Sequence, residues 1–294
     1  MRHAVLGAGA IGGLMATALG AIGEYVTVIV RPEKVANYPR ELVLEQPERM
    51  ITAPAHPTAR LTEAVDVLWI ATKAYHLEPA LASVDAVPKL VVPLLNGVEH
   101  VAVLRARFGD DHVAPGTIAV EAERLAEGRF VQRSVVRLNL AASAEPMLGA
   151  LLARLQEQHG FVCHFFESEP KLLWTKLTFL APFALVTSAS GKNRGEIFAD
   201  PEWKAKLYGA IEEAAAVASA SGAEIDVGKA QGGFEALPAT MRSSMAKDLA
   251  AGRRLELDAI AGPILRGGAR HAIAVPVTEE LVASIRSQAG ERQT

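Results

Sequence analysis

Arg2-His3-Ala4-Val5-Leu6-Gly7-Ala8-Gly9-Ala10-Ile11-Gly12-Gly13 reads as an apolar strand running into a glycine-rich turn. An apolar run to Leu19 follows, then Gly20-Ala21-Ile22-Gly23, then a second strand, Tyr25-Val26-Thr27-Val28-Ile29-Val30, ending at Arg31. The pattern is strand, turn, helix, strand. Gly7, Gly9 and Gly12 fall as G-x-G-x-x-G: one glycine for the tight turn, one for close approach of a pyrophosphate to the backbone, one for helix–strand packing. A helix that starts here offers free N–H groups and a positive dipole end to phosphates. The stretch Gly7, Ala8, Gly9, Ala10, Ile11 and Gly12 is therefore read as a dinucleotide cradle. An acidic residue at the end of the second strand would favour the ribose hydroxyls of NAD. Arg31 stands there instead, and a guanidinium fits a 2′-phosphate, so NADPH/NADP+ is the expected cofactor.

The bulk composition narrows the class. The 294 residues are 50% hydrophobic and 21% charged, and 30 Lys and Arg against 33 Asp and Glu leave a net charge of -3. That is an ordinary globular balance with room for two cores, and no nucleic-acid or membrane partner is expected from it. The single cysteine, Cys163, forms no internal disulfide and reads as a small apolar residue within a strand, in keeping with a cytoplasmic protein. No apolar leader with a cleavage site precedes the first strand, and no uninterrupted apolar stretch is long enough to span a bilayer. The run Phe179 to Val186 carries Pro182 and reads as a buried helix.

Beyond Arg31, Leu42-Val43-Leu44 and Met50-Ile51 suggest a hairpin-like insert. Val65 to Ala71 and Leu90 to Leu95 are nearly continuous apolar runs, as in parallel strands buried on both faces. They end in Thr72-Lys73 and Asn96-Gly97. Open parallel sheets place ligands at the carboxyl ends of their strands, so Thr72, Lys73 and Asn96 join the cofactor candidates. Helices are expected at Leu77 to Ser83 and Val101 to Phe108, and a strand at His112 to Pro115. Ile118 to Glu123, Arg129 to Val136 and Arg137 to Ala141 read as antiparallel strands with a turn at Glu127-Gly128. A helix from Met147 to Gln158 and a strand from Phe161 to Phe166 close this half. Nearly everything after Ser168 reads as helix, including Trp203 to Ala220 and Ala246 to Arg270. The expectation is an α/β Rossmann-like dinucleotide-binding domain at 1–167, followed by an all-α domain at 168–294 that carries the substrate and the chemistry.

Two stretches of the helical half carry further pattern: Leu173-Trp174-Thr175-Lys176-Leu177, and Ser243-Ser244-Met245-Ala246-Lys247-Asp248 running through Gly252-Arg253-Arg254 to Leu255-Glu256-Leu257-Asp258. With Gly7/Gly9/Gly12, Thr72-Lys73, Asn96-Gly97, Gly262 and His271-Ala272-Ile273-Ala274-Val275-Pro276, the chain resembles the ketopantoate reductase (2-dehydropantoate 2-reductase) family over essentially its whole length and in order. The resemblance implies a helical domain like the C-terminal one of 6-phosphogluconate dehydrogenase. It also implies an NADP-dependent oxidoreductase that reduces a 2-oxoacid, ketopantoate to pantoate, in pantothenate biosynthesis. Residue by residue, it implies Lys176 as the general acid, Glu256 as the carboxylate that holds that ammonium and the product hydroxyl, Asn96 as a hydrogen-bond partner for substrate or lysine, and Ser244 as a ligand of the substrate carboxylate. Monomer or homodimer is the implied state. Asp248 and Asp258 are read as helix-capping or interdomain residues. The histidines form no cluster with metal-ligand spacing, so no metal is expected.

The chain departs from the family where asparagines usually stand. Those positions hold Leu180, Ala184, Arg194 and Met241. Each lost partner weakens binding of a polar substrate by about 1 kcal/mol or more. The change favours a more apolar 2-oxoacid, with Arg194 as a candidate carboxylate clamp. A non-catalytic NADPH-binding sensor on the same fold is the alternative from another class.

Overall fold

The computed structural model describes residues 1–290. They divide into two compact units: residues 1–95 with 100–172, and residues 96–99 with 173 onward.

The first unit is built on β1 (Arg2–Leu6), whose Ala4, Val5 and Leu6 are buried because the strand is central. It is followed by α1 (Ala10–Ala21), β2 (Tyr25–Ile29), β3 (Glu41–Glu45), β4 (Met50–Pro54), β5 (His56–Thr58), β6 (Val67–Ile70), α2 (Leu77–Leu81), β7 (Leu90–Pro93) and α3 (His100–Phe108). Five strands form a parallel sheet in the order β5-β2-β1-β6-β7. The chain leaves β1 to one side for β2 and returns to its other side for β6, so the order reverses between β1 and β6. Ligands of open α/β sheets bind at the carboxyl ends of strands at such a reversal. α1 is apolar on nearly every side because it packs against β1 and β2 and also against β3, β4 and the strands at Ala122–Ala126 and Arg129–Gln132.

The expected hairpin is present, as β3 and β4 pair antiparallel. His112 to Pro115 is not a strand: Asp110–His112 is a 3-10 turn and only Val113 bridges Val91. Ile118 to Glu123 is not one strand either. β8 (Gly116–Ala119) and β9 (Ala122–Ala126) belong to different sheets, β9 pairing with β10 (Arg129–Gln132) and β8 with β11 (Arg137–Ala141). The crossing point is Glu121, whose N–H donates to the Ser134 hydroxyl and whose carbonyl accepts from the Arg133 N–H. α4 (Glu145–His159) and β12 (Val162–Phe166) complete the unit, β12 running parallel to β11. Cys163, on β12, is partly buried, and burial pushes its thiol up to about 11.

The second unit is helical: α5 (Glu169–Ser190, from Leu173 on), α6 (Arg194–Ala199), α7 (Pro201–Ala220), α8 (Val227–Glu235), α9 (Ser244–Ala250), α10 (Leu257–His271) and α11 (Pro276–Ala289). α5 is, by length and composition, apolar enough to cross a bilayer; two thirds of its most apolar window is buried within the protein, as in a core helix. Its Ala181, Ala184, Leu185 and Val186 have no accessible surface and pack with Leu207, Ile211, Phe234 and Ile264. The run Ala246 to Arg270 is not one helix. It breaks after Ala250, where Gly252 takes a φ of 63°, and restarts at Leu257. Asp248 and Asp258 do not cap these helices: Asp248 pairs with Arg253, and Asp258 with Arg266, each at 2.7 Å.

Candidate active site

The glycine turn of the first unit has the stereochemistry of a pyrophosphate cradle. Gly7 lies at φ 103°, which a side chain would strain, and a Cβ on Gly12 would sit 1.9 Å from the Gly7 carbonyl oxygen and push the helix off the strand. A Cβ on Gly9 would meet nothing within 4 Å: the backbone there faces open space. Gly9 caps α1 without a side chain, and no acidic residue occupies the first turn, so its N–H groups and dipole are available to an anion. Ala8 and Ile11 pack down on the core, and Ala10 starts the helix. The turn after β6 meets this one, since a Cβ on Gly7 would lie 2.8 Å from Thr72 N. The Thr72 hydroxyl is buried and lacks a hydrogen-bond partner among the described residues. Arg31 is exposed at the end of β2 and its guanidinium makes no ion pair among the described residues, whereas Lys34 pairs with Glu127. Lys73 follows Thr72 and is partly buried. These residues fit a nicotinamide dinucleotide: an open cradle, an unspent hydroxyl and a free guanidinium.

In the second unit the break at Gly252 decides the geometry. It places Glu256 at the N-cap of α10, yet its carboxylate makes no capping bond to the helix. It accepts instead from Asn96 Nδ2 at 3.4 Å, and Glu256 is only 6% exposed. Lys176, two turns into α5, feels the Glu256 charge. Burial drives the Lys176 ammonium down and Glu256 opposes it, leaving a pKa of about 8. Asn96 reaches this place because residues 96–99 are fastened to α10. Gly97 sits at φ 89°, and a Cβ there would be 2.4 Å from the Ala259 carbonyl oxygen. Val98 packs on the second core, and Glu99 pairs with Arg266 at 2.5 Å. The structure thus brings Lys176, Glu256 and Asn96 together, while Gly7–Gly12, Arg31, Thr72 and Lys73 belong to the first unit.

Ser244 is exposed at the first residue of α9. Its position depends on two side chains that sequence reasoning passed over. The Ser243 hydroxyl accepts from Ala246 N–H at 3.1 Å and lies 2.7 Å from Thr187 Oγ1, which in turn donates to the Phe183 carbonyl at 2.6 Å. With the Thr187 proton committed to Phe183, Ser243 donates to Thr187, and α9 is tied to α5 by a directional chain. The N-cap preference for serine was the available signal for Ser243; Thr187 carried none. Arg194 does not stand free as a clamp. Its guanidinium donates to the Leu237 carbonyl and lies 5.3 Å from the Phe198 ring centroid. Asn193 beside it forms a capping box with Glu196. Ala184 is sealed in the core, and Leu180 and Met241 are partly buried against it. A cavity of about 310 Å³ in the first unit, lined by Arg105, Asp110, Asp111, Ser143 and Glu169 among others, includes none of these residues.

A phosphate cradle at a reversal of strand order, in a chain whose helical unit holds a partly buried lysine within the field of a buried carboxylate, fits an oxidoreductase that works with a nicotinamide dinucleotide. Comparison with known proteins narrows the class. Residues 3–145 match the model of the family described as ketopantoate reductase PanE/ApbA, and residues 171–289 match its C-terminal counterpart. A 2-dehydropantoate 2-reductase of Caulobacter vibrioides is 31% identical, over 97% of this chain and 98% of its own. A PanE/ApbA family ketopantoate reductase of Ralstonia eutropha superposes with a TM-score of 0.85 at 25% identity, covering 98% of each chain. A D-mandelate dehydrogenase solved with NADH and anilino(oxo)acetate gives 0.85 at 22% identity, again covering 98% of each, and shares the fold. The chain belongs to the ketopantoate reductase family.

Proposed function

We propose that the protein reduces a 2-oxoacid to the 2-hydroxy acid with NADPH, with 2-dehydropantoate to pantoate as the first candidate reaction. The observation that carries this is the Lys176–Glu256–Asn96 constellation, Glu256 buried and the other two partly buried, in which a lysine is brought to about 8 within the field of a carboxylate. A structural ion pair has no use for an ammonium poised to lose its proton, whereas a general acid works best with a pKa near the operating pH. When bound, the cofactor supplies hydride to the carbonyl carbon. Negative charge then grows on the carbonyl oxygen, and Lys176 Nζ gives it a proton, completing C=O to CH–OH. Glu256 keeps Lys176 charged until then, and Asn96 holds the Glu256 carboxylate in place. Arg31 is assigned to the 2′-phosphate, Thr72, Lys73 and the 7–12 turn to the rest of the dinucleotide, and Ser244 to the substrate. The cofactor domain is assigned to 1–167 and the catalytic one to 168–294, with Asn96 lent to the latter. The partner implied is a small-molecule acid in the cytoplasm.

Leu180 and Met241 favour a variant of this reading, a 2-oxoacid with an apolar side chain. NADPH consumption is to be followed with 2-dehydropantoate and a panel of apolar 2-oxoacids, against Lys176→Ala. Turnover that falls by about 10²- to 10⁴-fold in Lys176→Ala is expected. NADPH binding without turnover of any acid would refute the reading and favour a sensor.

A further inference from the structure

We propose that Arg242 is the cation that receives the carboxylate of the 2-oxoacid, an inference that rests on the function proposed above. The argument begins from charge. A 2-oxoacid is an anion, and the residues assigned to its reduction offer it no net positive charge. Lys176 and Glu256 offset each other, and Asn96 and Ser244 are neutral. The Arg194 guanidinium is bound to the Leu237 carbonyl and laid against Phe198. In the same segment as Ser244, one arginine is left without a task. Arg242 is partly buried, its Nε is shielded from solvent without a hydrogen-bond partner, and its side chain makes no ion pair or hydrogen bond among the described residues. An Nε–H withdrawn from water with no acceptor is unfavourable, while the rest of the partly buried guanidinium stays open to a ligand, and proteins keep such a group where something else supplies the acceptor. The planar fork of Arg matches a carboxylate with two parallel N–H donors.

The backbone around Arg242 is held as an anchor requires. On one side, the Met241 carbonyl accepts from Arg194 N–H at 2.9 Å, and the Met241 N–H donates to the Pro238 carbonyl at 3.0 Å. On the other, the Ser243 hydroxyl is locked between Ala246 N–H and Thr187. Arg242 is therefore carried on a segment fixed to α5, the helix that bears Lys176. Rigid support of this kind lowers the entropy lost on gripping a ligand. The anion that suits Arg242 is a carboxylate, since the phosphates of the cofactor have their cradle in the other unit.

The test compares wild type, Arg242→Gln and Arg242→Lys, each with saturating NADPH, on the best 2-oxoacid and on its methyl ester. Arg242→Gln is expected to raise KM for the acid by about 10- to 100-fold, with kcat within about threefold. The ester KM and NADPH affinity, read by fluorescence titration, stay unchanged, and Arg242→Lys recovers part of the loss. An equal loss for acid and ester marks a structural role and overturns the proposal, as does an unchanged KM in Arg242→Gln. Weakened NADPH binding at unchanged acid KM overturns it by assigning Arg242 to the cofactor. Wild-type protein that reduces no 2-oxoacid overturns the parent reading and this one together, whereas wild-type turnover with an indifferent Arg242→Gln overturns this one alone.

Discussion

Replacing Glu256 with Gln removes a charge and preserves a shape. Two opposed effects set Lys176 at about 8, burial lowering it and Glu256 raising it. With the carboxylate neutralised, burial acts unopposed. An opposite charge at close range is worth about 1–3 pKa units, so Lys176 is expected to fall to roughly 5–7. The proton it donates is then missing over much of the neutral range. Taking a fall to about 6, the protonated fraction at pH 8 drops from about one half to about one hundredth, a loss of about fiftyfold, while at pH 5 almost nothing is lost. The loss in kcat/KM therefore shrinks steadily as pH is lowered. Wild type should keep its activity below pH 8 and lose it as pH rises through that value, and the variant should show the same limb displaced downward. The assay is initial-rate NADPH consumption across this range at saturating cofactor. A limb that stays near 8 with a uniform loss at every pH would refute the reasoning and leave Glu256 as a substrate ligand only.

Arg31→Gln should raise the dissociation constant of NADPH by about 10- to 100-fold and leave that of NADH where it was, because only the former carries a 2′-phosphate for the guanidinium. Fluorescence titration checks it, and equal shifts for both cofactors would remove Arg31 from the site. His3 gives a stability prediction. It has no accessible surface, and burial lowers its pKa to about 4. The fold binds the neutral ring and the unfolded chain takes up the proton first, so this contribution is complete above about pH 6.5 and is lost as pH falls toward 4. The loss is on the order of 3 kcal/mol, from a shift of about 2.5 units. The denaturant midpoint should fall between pH 7 and pH 5 in wild type and hold in His3→Phe; an equal fall in both would exclude His3 as its source.

The parts of the fold written plainly in the sequence are those where one periodicity decides the element. Central strands such as Val67–Ile70 are apolar on both faces, and Trp203 to Ala220 keeps a helical stripe for five turns. The parts that were not legible depend on partners distant in sequence. Ile118 to Glu123 has the composition of one strand, and it is divided only because β11 claims the first half and β10 the second. The apolar pattern continues from α9 into α10 in a way that hides the break. A single glycine at φ 63° makes it, and without the break Glu256 would lie inside a helix rather than at its start.

The candidate site divides along the same line. Glycines at positions 7, 9 and 12 state their geometry locally, since each acts on backbone within the same turn. Asn96-Gly97 does not: the reason for that glycine is the Ala259 carbonyl, more than 150 residues away, against which residues 96–99 are clipped. The four positions where asparagines were expected also part company once packing is known. Ala184 is enclosed by core, Leu180 and Met241 are half-buried against it, and Arg194 spends its donors on a backbone carbonyl. A lone amide left among such neighbours would be a buried polar group without partners, so the substitutions make sense as a set and poorly one at a time. Lys176, Glu256 and Asn96 are kept, while three of those four positions hold apolar side chains. Rate depends on groups that act on the transition state, while selectivity depends on contacts with the remainder of the molecule. On the function proposed above, a chain that keeps the first and exchanges the second would retain the hydride chemistry and change the acid it prefers.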